Sequence, residues 1–182
     1  PDARSWTGLE PRSFEYRLVR VRGTFRHDRE TLVQAVTERG AGAWVLTPLD
    51  TQGGTVLVNR GFVSQERRDP ATRASGQSTG PVAVTGLMRV SEPQGGFLRA
   101  NDPGANRWYS RDVAAIARAR ELGPVAPFFV DADAAPNPGG YPIGGLTVIQ
   151  FRNTHLVYAL TWFALAALSG AAAVLVLRTG RR

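Results

Sequence analysis

Between Leu156 and Leu177 the chain runs LVYALTWFALAALSGAAAVLVL, 22 residues without a charge. As a helix this segment extends about 33 Å, which matches a hydrocarbon core of about 30 Å. A chain of 182 residues has too little other mass to wrap such a helix in protein, so the segment reads as a membrane span. Arg178, Arg181 and Arg182 follow it at once, whereas Arg152 is the chief charge just before it. The positive-inside rule then places the C-terminal tail in the cytoplasm and what precedes the span on the exported face. Residues 1 to 30 hold seven Arg and no apolar stretch that could direct export, so an N-terminal transmembrane helix is expected to be missing from this chain. The expected organisation is an exported domain over residues 1–151, a transmembrane helix over 152–178 and a cytoplasmic tail over 179–182. Tyr158 and Trp162, near the start of the span, suit the interfacial aromatic belt.

The roughly 150 residues before the span suffice for one domain with a core of its own. Their pattern is that of short strands. Phe14 to Phe25 alternates with a shift that predicts a bulge near Leu18. Further runs follow at Thr31–Val36, Trp44–Leu49 and Thr55–Val63, with turns expected at Gly40-Ala41-Gly42 and Gln52-Gly53-Gly54. Ser64 to Pro81 is polar and reads as a mobile loop. Alternation resumes at Val82, Val84, Met88 and Val90, with Gly86 at a bulge or a close backbone approach. A helix is expected after Ser110 as cap, with Asp112 in its first turn, ended by Gly123-Pro124. Phe128–Val130 and Leu146–Phe151 complete the strands, and Asp133–Gly145 is too rich in Pro and Gly for regular structure. The predicted fold class is mainly β with one short helix, a small barrel or sandwich-like exported domain, plus the C-terminal transmembrane helix.

Several chemistries have no residues to perform them. Cysteine is absent and Met88 is the one methionine, so thiolate and thioether metal ligands are lacking. The two histidines, His27 and His155, are far apart in sequence, and no metal site is expected. Neither lies near a nucleophile elbow, no phosphate-binding glycine pattern stands between a strand and a helix, and no catalytic residues are assigned. His27 beside Asp28 reads as a solvated polar pair in a turn. All 22 basic residues are Arg, and the net charge of +7 is scattered among 15 acidic residues. No basic helix face or aromatic-interleaved run appears, so nucleic acid is not an expected partner.

His155 stands at the mouth of the span with Tyr158 and Trp162 at i+3 and i+7, all on one helix face. An imidazole there can ligate haem iron while the aromatic face below takes the porphyrin plane; equally, it can be a simple interfacial residue. Four blocks resemble a known family: Val58-Asn59-Arg60-Gly61-Phe62-Val63; Asn101-Asp102-Pro103 leading to Asn106-Arg107-Trp108-Tyr109 and Asp112; Pro138-Gly139-Gly140-Tyr141-Pro142; and Asn153-Thr154-His155-Leu156 with Tyr158-Ala159 and Thr161-Trp162. In this order, ending in a membrane helix, they are similar to the Surfeit-locus (surfeit-one) family of cytochrome oxidase assembly proteins. The resemblance implies two membrane helices flanking an exported domain. It further implies a non-enzymatic factor that aids insertion of haem a into the catalytic subunit of a haem–copper oxidase, with haem a synthase as a second candidate partner beside the lipid bilayer. It maps a haem-ligating role onto His155, supported by Tyr158 and Trp162. Asn59, Arg60, Asn101, Trp108 and Tyr109 would then contact a partner or a haem propionate; otherwise the asparagines organise turns and Trp108 fills the core. A scaffold that never touches haem is the competing reading. The Arg-for-Lys bias points to a bacterial inner membrane, with the domain in the periplasm, rather than the mitochondrial inner membrane.

Overall fold

The structure is a computed structural model that describes residues 10–96, 99–147 and 155–180. It divides into two compact units, Pro1–Thr147 and Val148–Arg182.

The first unit is built on strands β1 (Leu18–Phe25), β2 (Thr31–Thr37), β3 (Gly40–Thr51), β4 (Gly54–Ser64), β5 (Pro81–Val90) and β6 (Val125–Ala132). They lie in the order β1-β5-β6-β4-β3-β2, and a further β1–β3 pairing closes five of them into a barrel. All neighbours are antiparallel except β4 and β6. The closed circuit β1-β3-β4-β6-β5, with that single parallel pair, has the connectivity of an OB-type Greek-key barrel. Strand β3 is long enough to serve two partners along one edge, pairing with β2 from Gly40 to Leu46 and with β1 at Leu49 and Asp50.

Alternation along β4 serves two cores, since successive side chains on a strand point to opposite faces. Val56 and Val58 face the barrel interior with Leu49, Met88, Ala126, Phe128 and Val130. Leu57 faces outward, where Val33, Leu46, Phe129 and Trp108 pack against the helix α1 (Val113–Ala119) through Val113 and Ile116. Both faces of β4 are covered, so Thr55–Val63 is buried at every residue rather than at alternate ones. The cap of α1 is Asp112, whose carboxylate accepts from the Ala115 N–H at 3.0 Å. Ser110 instead is buried and donates to the Glu92 carbonyl at 2.7 Å.

The mainly β class, the short helix and the strand positions match the sequence reading, with local exceptions. Gly40 and Gly42 lie within β3 rather than in a turn, because the hairpin closes at Thr37↔Gly40. The bulge expected near Leu18 lies at Tyr16-Arg17, just ahead of β1: Tyr16, at φ +64°, donates its N–H to the Met88 carbonyl at 2.8 Å while the Met88 N–H donates to the Arg17 carbonyl at 2.9 Å, so two residues oppose one. The segment expected to be a mobile loop carries two 3-10 turns, Gln65–Arg67 and Pro70–Gly76, and buries Arg73. Leu146 and Thr147 are not strand, and 148–151, the rest of that expected strand, lie outside the described residues.

Glycine is required where backbones meet. Gly61 adopts φ +127°, and a Cβ there would come within 2.1 Å of the Ile143 carbonyl oxygen. That contact accompanies the exchange of backbone bonds between Phe62 and Ile143, both 2.9 Å. Gly86 lets β5 approach β6, since a Cβ would lie 2.1 Å from the Asp131 carbonyl oxygen.

In the second unit α2 (His155–Thr179) is a continuous helix. Its segment Tyr158–Thr179 has mean hydropathy 2.1 and is long and apolar enough to cross a membrane.

Replacing Gly61 by Ala is expected to destabilise the detergent-solubilised chain by about 2 kcal/mol or more. Gly40→Ala, at φ +93° but in open space, should cost about 1 kcal/mol from backbone strain alone. Denaturant unfolding compares them; equal losses would mean that the 143 segment parts from β4 without cost.

Candidate functional site

Charged residues placed inside strand patterns converge on two buried clusters. The first is centred on Asp131 of β6, which is 2% exposed. Asn59, its register partner on β4, donates from Nδ2 to Oδ1 at 2.8 Å. Arg89 of β5 donates to Oδ2 at 3.0 Å and Arg111 to Oδ1 at 3.2 Å. The Thr147 hydroxyl donates to Oδ2 at 2.9 Å. Arg111 also grips Glu92 in a two-pronged pair, with Nε 3.0 Å from Oε2, and stacks 4.8 Å above the Phe129 ring. Arg89 reaches Glu15 at 3.3 Å and lies over the Tyr16 ring. Burial pushes the Glu92 carboxyl up, but hydrogen bonds from Arg111 and the charges of Arg111 and Arg89 outweigh it and hold its pKa below the ordinary carboxylate value.

The second cluster surrounds Arg60, which is 2% exposed and points to the barrel side beside Phe25, with its guanidinium carbon 4.9 Å from the ring centre. It donates to the Gly76 carbonyl and to Asn137 Oδ1 at 3.2 Å, and meets His27 Nδ1 at 3.4 Å. Its Nε finds no acceptor among the described residues. Desolvation lowers its pKa to about 10, opposed by the charge of Glu30. Glu30 itself is engaged by Arg73 in a buried two-pronged ion pair. That pair, with Arg73 Nε donating to the Arg67 carbonyl at 2.9 Å, is the physical reason the 65–76 segment is folded against the barrel. His27 is therefore not the solvated partner of Asp28 that its sequence position suggests. Its Nε2 lies 3.1 Å from the Ser78 carbonyl, which leaves Nδ1 to accept from Arg60. Burial lowers the His27 pKa; the Ser78 bond opposes this and the Arg60 charge adds to it.

The sequence-derived site residues are distributed over both units. Asn59 and Arg60, adjacent on β4, point into the two different clusters, and both are buried. Asn59 is a mid-strand residue and not a turn former, although its Oδ1 accepts the Gly61 N–H at 3.2 Å. Asn101 does organise a turn: its Oδ1 accepts the N–H groups of Tyr109 and Ser110 at 2.8 and 3.1 Å. Trp108 is 1% exposed in the outer core, with its indole N–H donating to Asn106 at 2.9 Å. Tyr109 is half-buried beside Arg99, 5.5 Å from its ring. Of the five residues assigned to a partner or propionate contact, Asn59, Arg60 and Trp108 are turned into the fold. In the second unit His155 is the first residue of α2, and its imidazole lies outside the described side chains. Tyr158 and Trp162, one and two turns on, are 64% and 69% exposed. The sequence analysis missed Asp131, Arg89, Arg111, Glu92, Glu30 and Arg73. The available signal was charge within an apolar strand pattern, as in Phe128-Phe129-Val130-Asp131 and Leu87-Met88-Arg89-Val90.

Removing Asp131 leaves two half-buried guanidinium groups without their shared acceptor, so Asp131→Ala is expected to cost about 3–5 kcal/mol in denaturant unfolding. Asp131→Glu, which keeps the charge, should cost less; equal costs would locate the effect in packing. Because the folded His27 pKa lies below its unfolded value, the unfolded state binds more protons. Stability should thus fall as pH drops below about 6.5, and His27→Gln should remove that slope. The depressed Glu92 pKa acts in a lower window: its contribution is present above the unfolded value of about 4.3 and is lost as pH falls through the folded value. Stability measured from pH 8 to 3 separates the two.

A family model described as the SURF1 family matches residues 1–167. Surfeit locus protein 1 of Mus musculus is 39% identical over 176 residues, covering 87% of this chain and 56% of the mouse protein. That of Homo sapiens is 38% identical, with 87% and 58% covered. A SURF1-like protein of Monosiga brevicollis is 41% identical over 180 residues, covering 91% and 68%. The chain spans a little over half the length of the mouse and human proteins it matches. With a family match over nearly the whole chain and relatives this similar, the chain belongs to the SURF1 family.

Proposed function

We propose that this protein is a non-enzymatic assembly factor for a haem–copper terminal oxidase, and that it handles haem a as cargo on the way to the oxidase catalytic subunit. The observation that carries the reading is the family match over residues 1–167, which runs through the start of α2 and includes the block Asn153-Thr154-His155-Leu156. In that frame α2 anchors the protein in a bacterial inner membrane, with Arg178 on the cytoplasmic side and the barrel in the periplasm. The donor chemistry fits haem: an imidazole at the helix mouth is an iron ligand, and Tyr158 and Trp162 at i+3 and i+7 offer an exposed aromatic face below it. His155 would hold the iron, and the two rings would support the macrocycle edge at the interface. Haem a supplies the redox-active iron of the oxidase once delivered; this chain keeps it bound and oriented, and haem a synthase is the natural donor. In the second motif block we assign a partner contact to Tyr109, half-buried with Arg99 beside its ring.

One observation favours a scaffold that binds an oxidase intermediate without touching haem. Asn101 and Trp108 are fully accounted for by folding, as a turn former and a core residue, so their presence requires no haem.

The deciding experiment is a visible spectrum of the full-length protein, purified from cells that make haem a, beside His155→Ala. The haem a band is expected in the first and should be reduced at least about tenfold in the second, corresponding to 1.4 kcal/mol or more of ligation, with circular dichroism unchanged. Well-folded protein without haem in either form would leave the scaffold reading standing.

A further inference from the structure

The barrel has a seam. Strand β1 pairs with β5 along its whole length from Leu18 to Thr24. Along its other edge it meets β3 only at Thr24 and Phe25. Gly23 still packs against the Asp50 backbone of β3, but from Leu18 to Arg22 that second edge pairs with no strand among the described residues. Closure stops there because the β3–β4 hairpin turns back at Gln52 and Gly53, beginning two residues beyond Asp50 of the last β1–β3 pair. The gap is a cleft of about 860 Å³ with Arg20 and Arg22 on one wall, Asp50 and Gln52 on the other, and Val56 and Phe128 as its floor.

Three features define what fits. The first is the bare edge, since a strand edge presents a row of backbone donors and acceptors that templates an extended chain. Its five residues span about 17 Å at about 3.4 Å each. The second is charge. Arg20 and Arg22 are exposed at alternate positions of β1 and join none of the ion pairs among the described residues. Asp50, the one carboxylate of the rim, is taken by the Thr55 hydroxyl at 2.8 Å and faces Arg26 at 4.0 Å. The third is ligand chemistry. Among the described residues the lining carries no imidazole, thiol, thioether or phenol, so none of them offers haem iron a ligand, and the cleft proposal does not rest on the haem-handling reading.

We propose that the seam is a docking site for an extended acidic segment of a partner polypeptide, which adds to β1 as a strand. Carboxylates at positions i and i+2 of that segment stand opposite Arg20 and Arg22, because side chains two apart share a face and cross-strand neighbours of opposite charge attract. Backbone bonds give the register, and the arginine pair selects the charge.

The test uses the full chain in detergent with fluorescein-labelled hexapeptides: alternating Glu–Val, alternating Lys–Val, and a Glu–Val peptide N-methylated at alternate residues so that one edge cannot pair. Glu–Val should bind by anisotropy and slow amide exchange within Leu18–Arg22. N-methylation and the double variant R20E/R22E should each weaken it about tenfold, and R20E/R22E should now prefer Lys–Val. R20K/R22K, which keeps the charge, should retain Glu–Val binding, and circular dichroism checks the fold of each variant. Binding indifferent to N-methylation would show a charge patch rather than strand addition. Indifference to charge reversal, or no binding of any peptide, would leave Arg20 and Arg22 as guards of an open edge. Either result overturns the proposal.

Discussion

Asp131 is the interaction on which the rest of the barrel unit depends. A carboxylate that is 2% exposed cannot keep its charge without a full set of donors. It receives one from each of four separate segments: Asn59 on β4, Arg89 on β5, Arg111 just ahead of α1, and Thr147 at the end of the unit. Each donor must be where it is for the others to be tolerated. The parallel β4–β6 pairing and the approach of Gly86 to the Asp131 backbone follow from the same point. Such a cluster adds little net stability over an apolar core, but it penalises arrangements that separate its members.

The Arg60 cluster does comparable work on the other face of β4 with a different balance. Glu30 is committed to Arg73, so Arg60 is left to carbonyl and amide oxygens, an imidazole nitrogen and the Phe25 ring. Desolvation without a carboxylate of its own is what lowers its pKa. The two neighbours Asn59 and Arg60 thus hold opposite sides of one strand, and the Asn-Arg-Gly run acquires a folding reason for each residue: a donor to Asp131, a brace for the 27, 76 and 137 segments, and a backbone contact with Ile143 that only glycine permits.

These roles shape the functional reading. The motif residues of the barrel unit secure its shape, and the exposed chemistry lies elsewhere: on the first turns of α2, at Tyr109, and along the β1 seam. The assembly role proposed above calls for such a division, with a folded body that holds its motif residues inside and exposed faces that remain available.

Sequence alone determined the C-terminal apolar helix, long enough to cross a membrane, because an uncharged run of that length is a local signal. It also determined the β class and, to within a residue at each end, the strands read at Thr31–Val36, Thr55–Val63 and Val82 to Val90, since period-two alternation and turn residues are local signals. The blocks from Val58 to Trp162 carried the family resemblance. Tertiary structure alone decided that Asn59 and Arg60 serve different clusters, that His27 is a half-buried acceptor, that Arg73 folds the 65–76 segment down, and that β1 leaves a seam. Each of these depends on contacts between residues tens of positions apart, as with Asn59 and Asp131 or Glu30 and Arg73. A buried ion pair writes no periodicity into the sequence around it, so its members look like ordinary surface charges until the fold brings them together.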